Sequence, residues 1–375
     1  MKKLLLFALM AFAIGCSEDA GTNDPPIPDK PTDQAETVTV SFAMKGDVSV
    51  EETPLITKAA GEETESKDLY GIIVYYDADQ SGKIDDYYGE GFFDNINDMT
   101  ISLITGYKYQ FICTLIKNGK DILKHTDSVS FNGFDVLRNK GYLEPFGYVN
   151  REYTPRYWEG REVKNEFVLG NENSTNLSIQ RLRSGDARCN DGREKIGGSY
   201  YSIYYPSIDR YYGEITDYSP KDNGVVNIDM KRCVFGVKFV VTGITDGVLG
   251  FSMSDETHGP TLFFRDNIKV DTIFDKAIYT YRNIYECWSK SLTTDDYSQD
   301  FFLLINWQRD NGVTQSFRKT ITFKRNVLTT VNIRMNGGNA DNNLNLNIED
   351  SEMEENTNLD INVGDTIDTP VNPTE

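Results

Sequence analysis

The side chains best spaced for chemistry lie in one short polar segment in the first third of the chain. Oxygen-bearing residues stand at Asp77, Asp79, Ser81 and Asp85, which correspond to positions 1, 3, 5 and 9 of an EF-hand calcium loop. The bidentate acid that such a loop needs at position 12 is replaced by Tyr88. Because strand-like sequences flank the segment, we interpret it as a polar hairpin turn, with a calcium site on these four residues as the alternative.

Sequence patterns of known catalytic centres are absent. The only histidines, His125 and His258, are far apart, and no GxSxG, HExxH, GxGxxG or Walker sequence occurs. No motif singles out a pair of carboxylates of the kind that hydrolyses glycosides. We therefore predict that the protein is not an enzyme and has no cofactor, and we rank a surface hydrolase last among the functions considered.

A tyrosine-dense stretch could serve recognition instead of catalysis. Aromatic faces stack on the apolar faces of sugars, which makes a glycan-binding surface the alternative function. Tyrosine is also a favoured strand residue, and we prefer that structural interpretation. The residues in question are Tyr200, Tyr201, Tyr204, Tyr205, Tyr211 and Tyr212, together with Trp158.

The cysteines do not form a metal-binding pattern. Besides Cys16, the chain has Cys113, Cys189, Cys233 and Cys287, widely spaced and without a CxxC motif, so a structural zinc site is not expected. Disulfides between them remain open from the sequence. Cys113 and Cys233 stand in strand-like surroundings, and we interpret these two as buried free thiols.

The N-terminus has the order of an export signal. Two lysines precede an apolar stretch at residues 4–14, which is too short for a membrane anchor of about 20 residues. Residues 13–16 resemble the lipobox of bacterial lipoproteins, in which the cysteine, here Cys16, is acylated and becomes the new N-terminus; an ordinary secretory signal is the alternative. The acids Glu18 and Asp19 then resemble a signal for transfer to the cell surface.

The charge of the chain excludes some partners. Removing residues 1–15 takes away two lysines and no acids, which leaves 36 basic and 58 acidic residues and a net charge of −22 (36 − 58). Such a chain is repelled by nucleic acid and by anionic lipid headgroups. Nucleic acid is therefore not an expected partner, and membrane attachment is expected to depend on the lipid.

Alternating apolar residues and frequent turns predict an all-β protein. Residues 16–36, rich in proline and acids, are expected to form a disordered tether. Short strands are expected from residue 37 onward, and the turn-rich sequence at 220–224 suggests a boundary. We predict two β-sandwich domains at 37–222 and 223–348, followed by an acidic tail at 349–375.

The C-terminal region contains two further strand patterns. Between them lies part of the 349–375 segment, which has nine acidic residues and no basic ones. A purely disordered acidic tail would not need apolar residues at alternate positions. These strands either complete the second domain of their own chain or serve another chain; they centre on Leu344, Leu346 and Ile348 and on Leu359, Ile361 and Val363.

Several segments together resemble fimbrillin-like surface lipoproteins, the type V pilus subunits of Gram-negative gut and oral anaerobes. Besides the lipoprotein signal, the resemblance lies in residues 68–75, 106–111, 230–239 and 247–249 and covers most of 37–363. It implies two transthyretin-like β-sandwich domains. It also implies that a protease removes the first strand and that the C-terminal strand of a neighbouring subunit fills the exposed groove.

Carried onto this chain, that mechanism assigns residues to each role. The removable strand would contain Val38, Val40 and Phe42, and the two C-terminal patterns would be the donor strands. An added strand can replace the removed one because it pairs with the exposed backbone groups and fills the apolar pockets at the same time. Pilus members are cut after an arginine, whereas here no arginine occurs before Arg138. The basic residues in or near the loop at 47–68, which follows the first strand pattern, are Lys45, Lys58 and Lys67. Either another protease acts, or the protein stays uncut as an anchor or accessory subunit.

The function expected from the sequence is therefore that of a lipid-anchored lipoprotein exposed on the outer membrane. It would act as a structural, anchor or adhesin subunit of a fimbria-like assembly. The expected partners are the outer membrane, other fimbrial subunits, and glycans or proteins of host or bacterial surfaces.

The first prediction concerns Cys16. Replacing Cys16 with Ala removes the sulfur that would carry the lipid, so the protein should move from the membrane fraction to the soluble fraction, as measured by fractionation and immunoblotting. Replacing the neighbouring Ser17 with Ala is the control and should leave the distribution unchanged. Membrane attachment that survives the Cys16→Ala change would contradict the assignment.

Overall fold

A computed structural model describes the chain from Glu36 onward with gaps. The described residues are 36–47, 66–126, 131–132, 135–142, 145–146, 148–150, 156–170, 193–196, 199–202, 207–221, 224–255, 263–293, 297–335, 344–352 and 366–367. Cys16, Cys189 and the predicted donor residues Leu359, Ile361 and Val363 lie outside them. Among the described residues, no helix is long and apolar enough to cross a bilayer.

Strands dominate the first part of the chain, with one short helix and one 3₁₀ turn at Ile96–Asp98. These elements are β1 (Thr37–Gly46), β2 (Leu69–Tyr76), β3 (Asp86–Phe93), β4 (Thr100–Ile104), β5 (Tyr109–Ile116), α1 (Gly119–Ile122), β6 (His125–Thr126), β7 (Phe131–Asn132), β8 (Asp135–Asn139), β9 (Gly141–Tyr142), β10 (Tyr148–Asn150), β11 (Arg156–Glu159), β12 (Phe167–Leu169), β13 (Arg193–Ile196), β14 (Ser199–Ser202), β15 (Arg210–Tyr218) and β16 (Val225–Arg232).

The second part is also built from strands, again with one helix. Its elements are β17 (Val234–Thr242), β18 (Val248–Ser254), β19 (Phe263–Ile268), β20 (Thr272–Thr280), α2 (Ile284–Ser291), β21 (Ser298–Gln308), β22 (Thr314–Lys324), β23 (Val327–Met335), β24 (Leu344–Glu352) and β25 (Thr366–Ile367). The all-β, sandwich-like architecture confirms the predicted fold class.

One eight-stranded sheet organises the first part. Its strand order is β12-β3-β2-β5-β15-β16-β1-β4, and alternate residues of these strands point to one buried cluster that includes Val40, Ile72, Phe111 and Ile228. In β1, β4 and β16 the period of two, apolar then polar, produces one-sided burial, whereas β2, β3 and β5 are buried on both faces. The sheet therefore wraps around its own core.

The second part consists of two sheets packed on each other. Their orders are β24-β23-β17-β20-β25 and β19-β18-β21-β22. Phe235 of β17 packs on Phe301 of β21 and Phe323 of β22, with ring centroids 5.3 and 5.1 Å apart. Aromatic rings at these separations fill the space between two sheets about 10 Å apart.

The two parts share one strand order. The sequence β3-β2-β5-β15 in the first corresponds to β19-β18-β21-β22 in the second, and β16-β1-β4 corresponds to β23-β17-β20. In each part the first strand pairs in parallel with the last, β1 with β16 and β17 with β23. These last strands also share a pattern, Val-Asn-Ile-x-Met, at 226–230 and 331–335. The second part thus repeats the first.

The boundary between the parts lies later than the sequence predicted. The predicted boundary near Asn223 precedes β16, but β16 pairs with both β1 and β15 in the eight-stranded sheet. The chain passes to the second part at Cys233. The turn-rich 220–224 segment is the β15–β16 connection, because Gly224 N–H donates to the carbonyl of Lys221.

Two equivalent glycines close the parallel pairs. Gly46 follows the apolar part of β1 with φ +91°, and Gly243 follows β17 with φ +79°. A Cβ would lie 2.6 Å from the Met230 carbonyl oxygen at Gly46 and 2.1 Å from the Met335 carbonyl oxygen at Gly243. Only glycine allows both this backbone conformation and this close approach.

The second prediction tests that requirement. Gly46→Ala and Gly243→Ala should each lower the free energy of unfolding by roughly 3 kcal/mol or more, because left-handed strain of about 1–2 kcal/mol adds to a backbone clash. Gly82→Ala is the matched control, since Gly82 has φ +88° and open space around the added Cβ, and it should cost only about 1–2 kcal/mol. Urea denaturation measures all three, and equal losses would contradict the account.

Candidate functional site

The predicted removable strand occupies an internal position of the eight-stranded sheet. β1 pairs in parallel with β16, from Ser41 opposite Val225 to Gly46 opposite Met230. On its other side it pairs antiparallel with β4. Both sides of its backbone are therefore used, and its departure would leave a slot between two strands.

The side chains of β1 form part of the core of the first part. Val38, Val40, Phe42 and Met44 are all buried, whereas Thr37 and Thr39 on the opposite face are exposed. We call these four side chains the β1 plug. Because alternate residues of a strand point to the same face, these four side chains occupy successive positions along the slot.

Phe42 is the aromatic residue of the plug. Its ring lies 5.3 Å from that of Phe111 in an edge-to-face contact and 5.7 Å from that of Phe167 in a stacked contact. Phe167 belongs to β12 at the far end of the sheet, so Phe42 joins strands that are not neighbours. Such aromatic contacts contribute about 0.5–1.5 kcal/mol each beyond burial.

The walls of the slot are held by tyrosines that do not belong to β1. Tyr109 Oη donates to the Ile104 carbonyl at 3.0 Å and accepts from its N–H at 2.9 Å. Tyr88 Oη donates to the Ser102 carbonyl at 2.8 Å. Burial raises the pKa of Tyr76, which stacks on Tyr109, to about 12, so at neutral pH this phenol stays uncharged in the core. These bonds fix β4 independently of its pairing with β1.

The residue that follows β1 ties the strand to the second part. Asp47 N–H donates to the Met230 carbonyl at 2.9 Å. Its Oδ2 accepts from the Arg232 N–H at 3.0 Å and from Arg325 Nη1 at 2.5 Å. Arg325 is only 8% exposed and stands in the β22–β23 turn. We call this contact the Asp47 clasp, because it joins the end of β1 to the second part.

The carboxylate of Asp209 orients the guanidinium group of Arg232, whose backbone N–H binds Asp47. Asp209 accepts from Nε and Nη2 of Arg232, both at 2.8 Å, and Asn326 Oδ1 accepts from its Nη1 at 3.2 Å. Burial alone would lower the pKa of Arg232, but the bonds and charge of Asp209 outweigh it and raise the pKa. The junction between the parts is therefore built from buried, oriented charges.

The first predicted donor strand is paired within its own chain. β24 lies antiparallel to β23, with Leu344 opposite Met335, Ile348 opposite Val331 and Glu352 opposite Val327. Among the described strands it is the outermost one of its sheet. The structure thus shows the arrangement in which Leu344, Leu346 and Ile348 complete the second part, and a strand held on one side only can leave without disturbing others.

The acids of the possible calcium loop are used by a turn. Asp77 accepts from the Gly82 N–H at 2.8 Å and Asp79 from the Ser81 N–H at 3.0 Å, while Asp85 pairs with Lys83. The hydrogen bond from Ser81 lowers the pKa of Asp79. Within the described part of the chain, no three metal-ligating side chains are grouped for a metal ion. The segment forms the β2–β3 connection, as a hairpin turn would.

The remaining sequence candidates whose side chains the structure describes are buried. Tyr211 and Tyr212 are buried; Tyr212 packs against Trp288 with ring centroids 5.3 Å apart. The side chains of the other tyrosines of the suggested platform, and of Trp158, lie outside the described set. Cys113 and Cys233 are buried free thiols, as predicted, and Cys287 is a third buried cysteine that forms no disulfide.

The Asp47 clasp was missed from the sequence. In the sequence, Asp47 begins the acidic segment between the first two strands, and Arg325 lies 278 residues away. One sequence signal could have revealed this contact. Both β1 and its counterpart β17 are ended by a glycine, Gly46 and Gly243. Aligning the two would have placed Asp47 inside the fold.

Comparisons with known proteins were made at three levels. No family model and no curated protein matches the chain. Among solved structures, a candidate cell adhesion protein from Bacteroides eggerthii is 10% identical, with a TM-score of 0.37 over 85% of this chain and 96% of the other. The fimbrial anchor protein Mfa2 from Porphyromonas gingivalis is 9% identical, with a TM-score of 0.32 over 84% and 97%.

A third similar structure is the tip fimbrial protein Mfa3 from Porphyromonas gingivalis with a C-terminal truncation. It is 8% identical, with a TM-score of 0.29 over 84% of this chain and 98% of the other. These neighbours are adhesins and fimbrial proteins, the kind of protein that the sequence resembles. With TM-scores below 0.5, the function has to be argued from the residues of this chain.

The third prediction concerns the Asp47 clasp. Asp47→Ala should lower the free energy of unfolding by about 2–3 kcal/mol, because it removes the carboxylate from a buried arginine. Asp121→Ala is the control: it breaks a solvent-exposed ion pair with Lys67, and such pairs contribute about 0–1 kcal/mol. Urea denaturation of both variants is the measurement. A loss for Asp47→Ala no larger than for the control would show that the clasp does not hold β1.

Proposed function

We propose that this protein is a cell-surface lipoprotein that acts as a structural or accessory subunit, an anchor or adhesin, of a fimbria-like assembly. Its subunits are joined by β-strand complementation, with β1 as the strand that is replaced and the C-terminal region as the donor. The lipid on Cys16 holds the chain in the outer membrane. The tether at 16–36 carries the folded part away from the surface.

The observation that carries the proposal is the position of β1. It is the first strand of the fold, yet it lies between β16 and β4 with its apolar side chains in the core. A strand at the end of the chain can leave and be replaced without unthreading the strands around it. The slot offers both backbone partners and apolar pockets, the two features that strand addition needs.

The energetics explain why such a slot does not stay empty. Burying the four side chains of the β1 plug stabilises the fold by roughly 6–12 kcal/mol, at about 1.5–3 kcal/mol each. A cleaved β1 would therefore stay bound until another strand competes for the slot. Since the backbone bonds are equivalent, the direction of exchange depends on cleavage and on how well the donor side chains fit.

The C-terminal region supplies donors of suitable pattern. Leu344, Leu346 and Ile348 alternate as Val38, Val40 and Phe42 do, and so do Leu359, Ile361 and Val363. Among the described strands, β24 pairs with β23 alone, so moving it into a neighbouring slot would add a second line of backbone bonds. That gain favours transfer from an edge position to an internal one.

A glycan-binding surface lipoprotein is the second candidate. One observation favours it: Tyr285 of α2 is 44% exposed, and its ring lies 6.1 Å from that of Trp288. Exposed aromatic rings suit stacking against sugars. Specific binding on a glycan array that is lost in Tyr285→Ala would support this candidate.

The fourth prediction tests the donor role. Deleting residues 344–375 should leave a folded, membrane-bound protein that no longer enters filaments, because both donor patterns are gone while β23 and the core remain. Deleting only 368–375 is the control and should preserve assembly. Circular dichroism, membrane fractionation and electron microscopy of labelled cells are the measurements. Filaments formed by the 344–375 deletion would contradict the donor role, and loss of folding would assign the strands to their own chain.

A further inference from the structure

β22 is an edge strand that the rest of the described fold leaves open. It pairs with β21 along its whole length, Thr314–Lys324, and it is the last strand of its sheet. In the repeat, its counterpart β15 is covered on both sides by β5 and β16. No described strand takes the second side of β22, so it presents a long row of backbone groups for pairing.

The charge of β22 differs from that of the molecule. The strand carries Arg318, Lys319 and Lys324 and no acid, in a chain whose net charge is −20. These three side chains are exposed. Arg318 stacks on Phe302, with its guanidinium carbon 4.2 Å from the ring centroid, which holds one positive charge on the outer face of the sheet.

Lys319 gives the edge selectivity. It is directly opposite Leu303, which is fully buried, so it stands at a position that points toward the inside of the sandwich. A lysine at such a position discourages pairing with ordinary apolar strands. It does not discourage a strand that brings carboxylates, because opposite charges across an edge attract.

We propose that the open edge of β22 binds the acidic C-terminal tail of a second copy of this chain by strand addition. The 349–375 segment has nine acids and no base, the reverse of β22. Leu359, Ile361 and Val363 alternate with Asp360 and polar residues. An added strand with this pattern places apolar residues on one face, beside half-buried Phe317 of β22, and acids on the other.

The structure favours a second copy over the same chain as the source of the tail. In its own chain, Thr366–Ile367 pair with β20 at one edge of the five-stranded sheet. β22 is in the other sheet, where it contacts β17 and β23. Only Gly364 and Asp365 lie between Val363 and this bridge, so the chain spans about 11 Å at most. A path from β22 to β20 must cross about 10 Å between the packed sheets and also pass β17, which separates β23 from β20. The tail of the same chain therefore cannot hold both positions.

The Asp47 clasp shows how the tail would arrive, a point that rests on the proposed function. Asp47 Oδ2 lies 2.5 Å from Arg325 Nη1, and Arg325 directly follows Lys324, the last residue of β22. A donor strand that takes the place of β1 in the same direction ends at this point. The acidic tail that follows it then starts beside β22 and can run back along it antiparallel.

Binding of a synthetic peptide to the full-length protein tests the proposal. The peptide has the sequence of residues 353–375, and its affinity is measured by fluorescence anisotropy at low and at physiological salt. It should bind, and binding should weaken as salt rises. The double variant Arg318→Glu, Lys319→Glu should weaken binding at least tenfold, whereas Lys124→Glu, Lys221→Glu, with the same change of charge at exposed sites away from β22, should not.

Two peptide variants keep the test independent of folding. A peptide with every acid replaced by its amide should lose binding through lost charge, and a peptide N-methylated at alternate residues of 359–363 should lose it through lost backbone pairing. No binding of the parent peptide, equal loss in both protein variants, or full binding of the N-methylated peptide would each overturn the proposal. Because the peptide needs neither cleavage nor departure of β1, a negative result leaves strand complementation itself untouched.

Discussion

The pairing of first and last strands governs the whole molecule. In each part the strand that opens the fold lies parallel to the strand that closes it, β1 on β16 and β17 on β23. Parallel neighbours cannot be joined by a tight turn, so the strands between them in the chain, β2 to β15 and β18 to β22, form the connection. The core closes only when the two ends meet, and a strand at the chain end completes the first part.

The two parts differ in how β15 and its counterpart β22 are paired. Among the described strands, this difference leaves β22 at a sheet edge. In the first, β15 pairs with both β5 and β16 and joins the two halves of the sheet. In the second, β22 and β23 belong to separate sheets, and β24 lies along β23. Among the described strands, the first part thus has its opening strand in an internal position, and the second part has β22 and β24 at sheet edges. The proposed strand exchange uses both features.

Much of the fold was predictable because burial follows the alternation of side chains. The apolar, β-branched segments at 233–241 and 327–335 are typical of strands, and the structure has β17 at Val234–Thr242 and β23 at Val327–Met335. The boundary near Asn223 was wrong because turn residues look alike within a domain and between domains. The partner of Leu344–Ile348 could not be predicted, since an alternating strand fits an edge of its own chain or of another equally well. The Asp47 clasp depends on a contact between distant residues, which local patterns do not contain.

The most direct test of strand exchange is to lock β1 in place. Thr39 of β1 and Ser102 of β4 are directly paired and exposed, with their Oγ atoms 3.4 Å apart, so Thr39→Cys with Ser102→Cys can form a cross-strand disulfide. Asp300→Cys with Thr322→Cys, which joins the paired strands β21 and β22, is the matched control. We predict that the β1 lock abolishes filaments on the cell surface, that reduction restores them, and that the control lock has no effect. Filaments assembled from oxidised, locked subunits would contradict strand exchange at β1.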